Sequence, residues 1–272
     1  MLLLSMNIGI YYKILENIMS RLFTFGCSFT QYWRWPTWAD ALGHDADHFE
    51  NWGLCGAGNS YILWSLVECN QRNRLTAGDE VWIMWTNTSR EDRYVDGRWL
   101  EGGNVYWSAG STLPAEYVKK FADERGYLIR DMANIAAAKQ ILDHIGCNYK
   151  FLSMVPLTKT NKETGHGDNP DNNNLDTADV IDFYLDVVDT IGPSVQDTLF
   201  NGDWWTSRPG IPDNYNSDQR DFHPTPLEHV EYLDQIAPGR LSQSARDWMT
   251  QWYWNARDKT QDWREPNRPR RL

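Results

Sequence analysis

Leu22-Phe23-Thr24-Phe25-Gly26-Cys27-Ser28-Phe29-Thr30 joins an apolar run to a small-residue turn that carries a hydroxyl. Aromatic and aliphatic residues at this spacing favour a buried strand, and Gly26 permits the tight bend that lifts Ser28 clear of the sheet end. Read alone, the same residues describe a strand followed by a serine that caps a helix. The rest of the chain decides between the two by whether it supplies partners for Ser28.

Working outward, the strand, turn and helix pattern repeats. Trp35 to Gly43 reads as a short helix with Pro36 near its start and glycine as its stop, and Asp47 to Gly53 as a second strand. That strand runs into the glycine-rich turn Gly53-Leu54-Cys55-Gly56-Ala57-Gly58-Asn59-Ser60, after which a helix begins at Tyr61. The near-continuous apolar run Val81-Trp82-Ile83-Met84-Trp85 is the mark of a parallel strand covered on both faces, ending at Thr86-Asn87. Residues 91–114 lack a stable period and read as an excursion that forms a lid or substrate wall. Helical pattern returns from Ala115 to Gly146, Tyr149 to Val155 is a fourth strand, Val180 to Val188 marks another helix, and Thr225 to Ile236 a further one. Beyond Gly192-Pro193 the pattern is poor as far as Trp204-Trp205. Repeated units of this kind predict an α/β fold with a parallel sheet between helices, whose functional loops collect at the carboxyl ends of the strands. Ser28, Gly56 and Asn87 then share one edge, and the loop Asp221-Phe222-His223-Pro224 closes over it.

Bulk properties remove several function classes. The 26 Lys and Arg against 37 Asp and Glu give a net charge of −11, which repels phosphate backbones and anionic lipid, so neither nucleic acid nor a membrane is an expected partner. Cys27, Cys55, Cys69 and Cys147 show no zinc-site spacing or disulfide framework and read as reduced thiols. The 15 Trp are mostly assigned to packing, while Trp204 and Trp205 are assigned to a substrate cleft. No secretory leader or membrane-spanning run is evident, which gives a cytoplasmic expectation, with association in a larger particle as the alternative. Met19, directly before Ser20-Arg21 and the first strand, is the expected native start, with residues 1–18 an extension; the alternative is an amphipathic helix covering a sheet face. A main domain over 19–240 and a C-terminal helix with a basic tail over 241–272 complete the expected organisation.

A serine becomes a nucleophile when a neutral imidazole takes its proton, and the oxyanion that follows needs N–H donors aimed at it. The sequence holds all of these parts. Gly26-Cys27-Ser28-Phe29-Thr30, Asn51-Trp52-Gly53-Leu54-Cys55-Gly56, Trp85-Thr86-Asn87 and Asp221-Phe222-His223-Pro224 resemble, in that order, the four blocks of the SGNH/GDSL hydrolase family. The resemblance spans about Arg21 to Ile236. It implies a three-layer α/β/α sandwich with a mainly parallel, flavodoxin-like sheet and hydrolysis of esters, including acetyl groups on carbohydrates, without metal or other cofactor. Carried over by block, it implies Ser28 as nucleophile, His223 as base, and Gly56 and Asn87 as oxyanion donors. The sequence departs from the pattern at Cys27, at Trp85, expected to narrow the cleft, and in the spacing of Asp221, two residues before His223, which leaves Asp218 as an alternative support. Asn59 and Arg90 border the same edge as candidate substrate-binding residues, with helix capping and a surface ion pair as their plainer readings.

The sequence therefore predicts a serine ester hydrolase acting on a small-molecule or carbohydrate ester. Two rivals are a non-catalytic glycan-binding or structural module on the same fold, gripping a saccharide with Trp204, Trp205 and the 91–114 excursion, and an acyltransferase using the same serine.

Overall fold

A computed structural model describes residues 21–100, 103–106, 113–160, 163, 177–202, 210–212, 220–258, 263 and 269. In chain order the elements are β1 (Arg21–Phe25), α1 (Trp38–Gly43), β2 (His48–Asn51), α2 (Asn59–Asn73), β3 (Glu80–Trp85), a hairpin of β4 (Tyr94–Val95) and β5 (Arg98–Trp99), α3 (Ala115–Phe121), α4 (Glu124–Ile145) and β6 (Asn148–Ser153). There follow α5 (Ala178–Phe183), α6 (Leu185–Val188), β7 (Ile191–Ser194), α7 (Val195–Phe200), the pair β8 (Ile211–Pro212) and β9 (Arg220–Asp221), α8 (Pro226–Ile236) and α9 (Gln243–Asp258).

Five strands form a parallel sheet in the order β2-β1-β3-β6-β7, the flavodoxin-like order, in which the chain switches direction on either side of β1 and β3. Strand alternation gives the sheet two apolar faces. Leu22, Trp82, Met84 and Leu152 point to one side and pack with Trp38, Leu42, Leu199, Tyr232, Leu233 and Met249, so α1, α7, α8 and α9 cover that face. Phe23, Phe25, Val81, Ile83, Trp85 and Phe151 point to the other and pack with Ile62, Leu66, Met132, Ile135 and Leu142 of α2 and α4, and with Val180 and Val187 of α5 and α6. The result is the expected α/β/α sandwich.

Local chemistry starts and stops the helices. The Asp123 carboxylate accepts the Gly126 N–H at 2.6 Å to begin α4, and Gly146 ends it with a φ of +76°. Thr225 and Glu228 form a capping box around α8, with Pro226 at its first turn, directly after the His223 loop.

Three expectations change. A fifth sheet strand lies at Ile191–Ser194, where the sequence looked unpatterned; as an edge strand it accommodates Pro193, which has no N–H to give. The helical pattern after Ala115 divides into α3 and α4 at Ala122–Asp123. Trp85 does not narrow a cleft: alternation sets it beside Val81 and Ile83 on the face under α2 and α4, with no exposure, its ring edge-on to Phe151 at 5.6 Å. The 91–114 excursion carries the β4–β5 hairpin, and Glu91, Val105 and the Arg90–Asn104 bridge tie its two ends together. Residues 1–20 and most of the basic tail lie outside the described residues. Among the described residues no helix is long and apolar enough to cross a membrane, and the four cysteines are free thiols.

Candidate active site

β1 ends against a turn in which the Cys27 carbonyl accepts the N–H groups of Thr30 and Gln31, at 2.9 and 3.0 Å. Gly26 is required there: a Cβ would lie 2.1 Å from Thr30 Oγ1 and 2.9 Å from the Met84 carbonyl oxygen. The turn sends consecutive side chains opposite ways. Cys27 goes into the core, its thiol 3.7 Å from the Met154 sulfur. Ser28 goes to the sheet edge and caps no helix, since the next one begins at Trp38.

The Ser28 hydroxyl meets His223. Its Oγ lies 3.1 Å from His223 Nε2, and His223 Nδ1 lies 2.8 Å from Asp221 Oδ1. Asp221 Oδ1 also accepts the His223 backbone N–H at 3.0 Å, so the two-residue spacing folds into a closed loop that turns the imidazole back on its own carboxylate. Burial by itself would raise the Asp221 pKa, but the hydrogen bonds and charge of His223 and the bond from Tyr32 outweigh it and hold the carboxyl well below the usual range. An ionised Asp221 can only accept, so Nδ1 carries the proton and Nε2 is left to accept from Ser28. Ser28 is 5% exposed and the His223 side chain 32%, so solvent reaches the row from the imidazole.

Three side chains hold this row: Tyr32 and Arg34, which the sequence analysis passed over, and Trp35, which it assigned to packing. The Tyr32 hydroxyl donates to Asp221 Oδ2, and its ring stacks on the imidazole with centroids 4.1 Å apart. Arg34 Nη1 donates to the same Oδ2 at 2.8 Å, while its guanidinium lies over the Trp35 ring at 4.8 Å. Trp35 Nε1 donates to the Pro224 carbonyl at 2.9 Å. The alternation Tyr32, Arg34 and the cluster of Trp33 and Trp35 so close to Ser28 was the available signal, but an aromatic cluster beside a strand reads first as core.

The glycine turn is stitched to the serine turn by the Leu54 N–H, which donates to the Gly26 carbonyl at 3.0 Å. Gly56 stands at φ +76° in the turn closed by Ala57 N–H on the Leu54 carbonyl, a conformation a side chain would strain. No hydrogen bond among the described residues uses the N–H of Ser28 or of Gly56. Asn87 follows β3 at the same edge, is 1% exposed, and spends one amide N–H on Ser89 Oγ at 2.9 Å while its carbonyl accepts from Thr86 Oγ1 at 3.2 Å. Its second amide N–H keeps donor capacity.

The other expected site residues stand differently. Asn59 has no exposure: Nδ2 donates to the Thr86 carbonyl at 3.0 Å and to Asp131 Oδ2 at 2.8 Å, and Oδ1 accepts the Thr86 N–H at 2.8 Å. It braces the loop after β3 from beneath instead of facing a substrate. Arg90, the other candidate substrate-binding residue, is also buried; its Nη1 donates to the Ala57 carbonyl at 2.8 Å and its Nε to Asn104 at 3.0 Å, which fastens the glycine turn to the excursion, and it is not the surface ion pair of its plainer reading. Trp204, Trp205 and the alternative Asp218 lie outside the described residues. His229, buried on α8, has its pKa pulled down to about 3 by burial and by the neighbouring His223, so it is neutral. Among the described residues no group of three His, Cys, Asp or Glu side chains is arranged to hold a metal ion.

No protein-family model matches the chain, and no curated protein matches it in sequence. Eight solved chains are similar to it in shape, the following two among them. A member of the lipolytic protein G-D-S-L family from Veillonella parvula aligns over 82% of this chain and all of its own, at 12% identity and a TM-score of 0.44. A Streptococcus pneumonia protein named for platelet activating factor aligns over 89% of this chain and 91% of its own, at 13% identity and a TM-score of 0.40.

Proposed function

We propose that the protein is a serine hydrolase of SGNH type that cleaves an ester, with acetyl groups on carbohydrate as the expected class. The observation that carries this reading is the hydrogen-bonded row from Ser28 Oγ through the His223 imidazole to an ionised Asp221, at 3.1 and 2.8 Å. The substrate class rests on the resemblance of the four sequence blocks.

In this mechanism His223 Nε2 takes the Ser28 proton as Oγ attacks the ester carbonyl. Negative charge gathers on the former carbonyl oxygen, where the unused N–H groups of Ser28 and Gly56 and the second amide N–H of Asn87 stabilise it. Collapse of the tetrahedral intermediate breaks the ester C–O bond, and His223 returns the proton to the leaving alcohol. A water molecule, deprotonated by the same imidazole, then releases the acid from Ser28. Asp221 keeps Nδ1 protonated throughout and stabilises the imidazolium formed in each half.

The protein is expected to turn over p-nitrophenyl acetate, and Ser28→Ala to remove that turnover while leaving the circular dichroism spectrum and melting temperature near wild type. Turnover retained in that variant would take Ser28 out of the role. A wild-type protein that binds an acetylated saccharide without cleaving it would favour the binding module.

A further inference from the structure

The Asp221 carboxylate has two faces, and the two oxygens are put to different uses. Among the described residues Oδ1 is occupied by His223, through its backbone N–H and Nδ1. Oδ2 accepts from Tyr32 and Arg34, both supplied by the loop that also carries Ser28. The side chain of Arg34 is 2% exposed and that of Asp221 10%, so this ion pair is shielded from solvent and its charge acts over short range with little screening. Nothing in the ester chemistry calls for a cation at this place; the reaction would be served by the carboxylate and the imidazole. A full positive charge on the far oxygen nevertheless offsets the negative charge that the imidazole faces. The carboxylate can then orient Nδ1 without holding His223 in the protonated form that cannot accept a proton from serine.

We propose that Arg34 and Tyr32 are positioning residues, and that the Arg34 charge lowers the pH at which His223 becomes a competent base. The proposal rests on the hydrolase reading above for its kinetic consequence. The groups facing the imidazole are Asp221 from β9, Ser28, Phe29 and Tyr32 from the β1 loop, and neutral His229 from α8. Those among the described residues that face the carboxylate are His223, Tyr32 and Arg34. Arg34 is thus the one cation among the described residues that touches Asp221 besides a protonated His223 itself. Tyr32 acts by geometry: one side chain fixes the carboxylate through its hydroxyl and the imidazole plane through its ring, so neither partner can rotate without losing the other.

The signs are testable. Arg34→Gln removes the positive charge from the carboxylate beside His223, which favours the imidazolium, so the acidic limb of kcat/KM is expected to move to higher pH by about one unit. Arg34→Lys restores the charge without the planar stack on Trp35; its limb is expected to stay near wild type while kcat falls and KM holds. Tyr32→Phe keeps the ring and removes the hydroxyl, and is expected to move the limb up by a smaller step and lower kcat. If the glutamine variant does not fold, the phenylalanine variant carries the test. The His223 titration is read a second way, by NMR of its ring protons in the absence of substrate, in wild type and in each variant. A limb and an NMR titration that stay at the wild-type pH in the Gln and Phe variants overturn the proposal while leaving the hydrolase reading in place. A shifted NMR titration in a protein that turns over no ester supports the positioning role and counts against the hydrolase.

Discussion

His223→Ala is expected to reduce kcat for p-nitrophenyl acetate by roughly 10⁴-fold at pH 8, with KM changed little. The size follows from the geometry. Without the imidazole, Ser28 Oγ loses the base it is bonded to among the described residues, and a serine hydroxyl at neutral pH is a poor nucleophile. Tyr32 does not replace it: burial and the Asp221 charge push its hydroxyl pKa upward, so it stays protonated and donates to the carboxylate. Because Ser28, His223 and Asp221 act as one unit, the Ser28→Ala/His223→Ala double variant is expected to be no slower than either single one. The check is steady-state turnover of the three variants. Effects that multiply in the double variant would mean that the two side chains contribute separately, and the row at 3.1 and 2.8 Å would lose its catalytic meaning.

The second large effect is on stability and falls on Asn59. Replacing it by alanine deletes three hydrogen bonds inside the protein and strands both the N–H and the carbonyl of Thr86 away from water. Unpaired buried groups cost about 1–3 kcal/mol each, so Asn59→Ala is expected to destabilise the fold by about 3–5 kcal/mol. The loss also carries a pH signature. Burial raises the Asp131 pKa to about 6, with the Arg130 charge and the bonds from Arg130 and Asn59 pulling the other way. Above about pH 6 the carboxylate is ionised and the lost Asn59 bond is charge-assisted; below it the lost bond is a neutral one. Destabilisation is therefore expected to be larger at pH 8 than at pH 5, measured by urea unfolding at both. A variant as stable as wild type, or one whose loss grows as the pH falls, would refute the bracing role.

Asn59 also illustrates where a sequence stops being informative. Its place at the carboxyl edge of the sheet followed from the glycine-rich turn before α2, and that place was right. Whether the side chain looked into a cleft or down onto the loop after β3 depended on the rotation of the first helical turn, which a three-glycine turn leaves open. Arg90 and Trp85 differ from expectation for the same reason: position along the chain was legible, side-chain direction was not. Trp85 could have been placed by strict alternation from Val81 and Ile83, whereas Arg90 lies past the end of the strand, where the period of two no longer applies.

The sheet itself was largely legible, because β1, β3 and β6 are apolar runs whose length and spacing admit few alternatives. β7 was not, since a four-residue edge strand containing Gly192-Pro193 has the composition of a loop and becomes a strand only through its pairing with β6. At the candidate site, Ser28, Asp221 and His223 were found by residue type and order, and the structure brings their side chains into one hydrogen-bonded row. Tyr32 and Arg34 were passed over because their partner, Asp221, lies 189 and 187 residues away in sequence. A contact of that range has no local period to betray it.

The central claim is that Ser28 is a nucleophile made reactive by His223. Its most direct test is labelling with a fluorophosphonate probe, read by intact mass and then by peptide mapping, in wild type and in His223→Ala. A single adduct on the peptide carrying Ser28, formed by wild type and absent from the His223 variant over the same time, is the result expected. An unlabelled wild-type protein, or label distributed over serines other than Ser28, would contradict it.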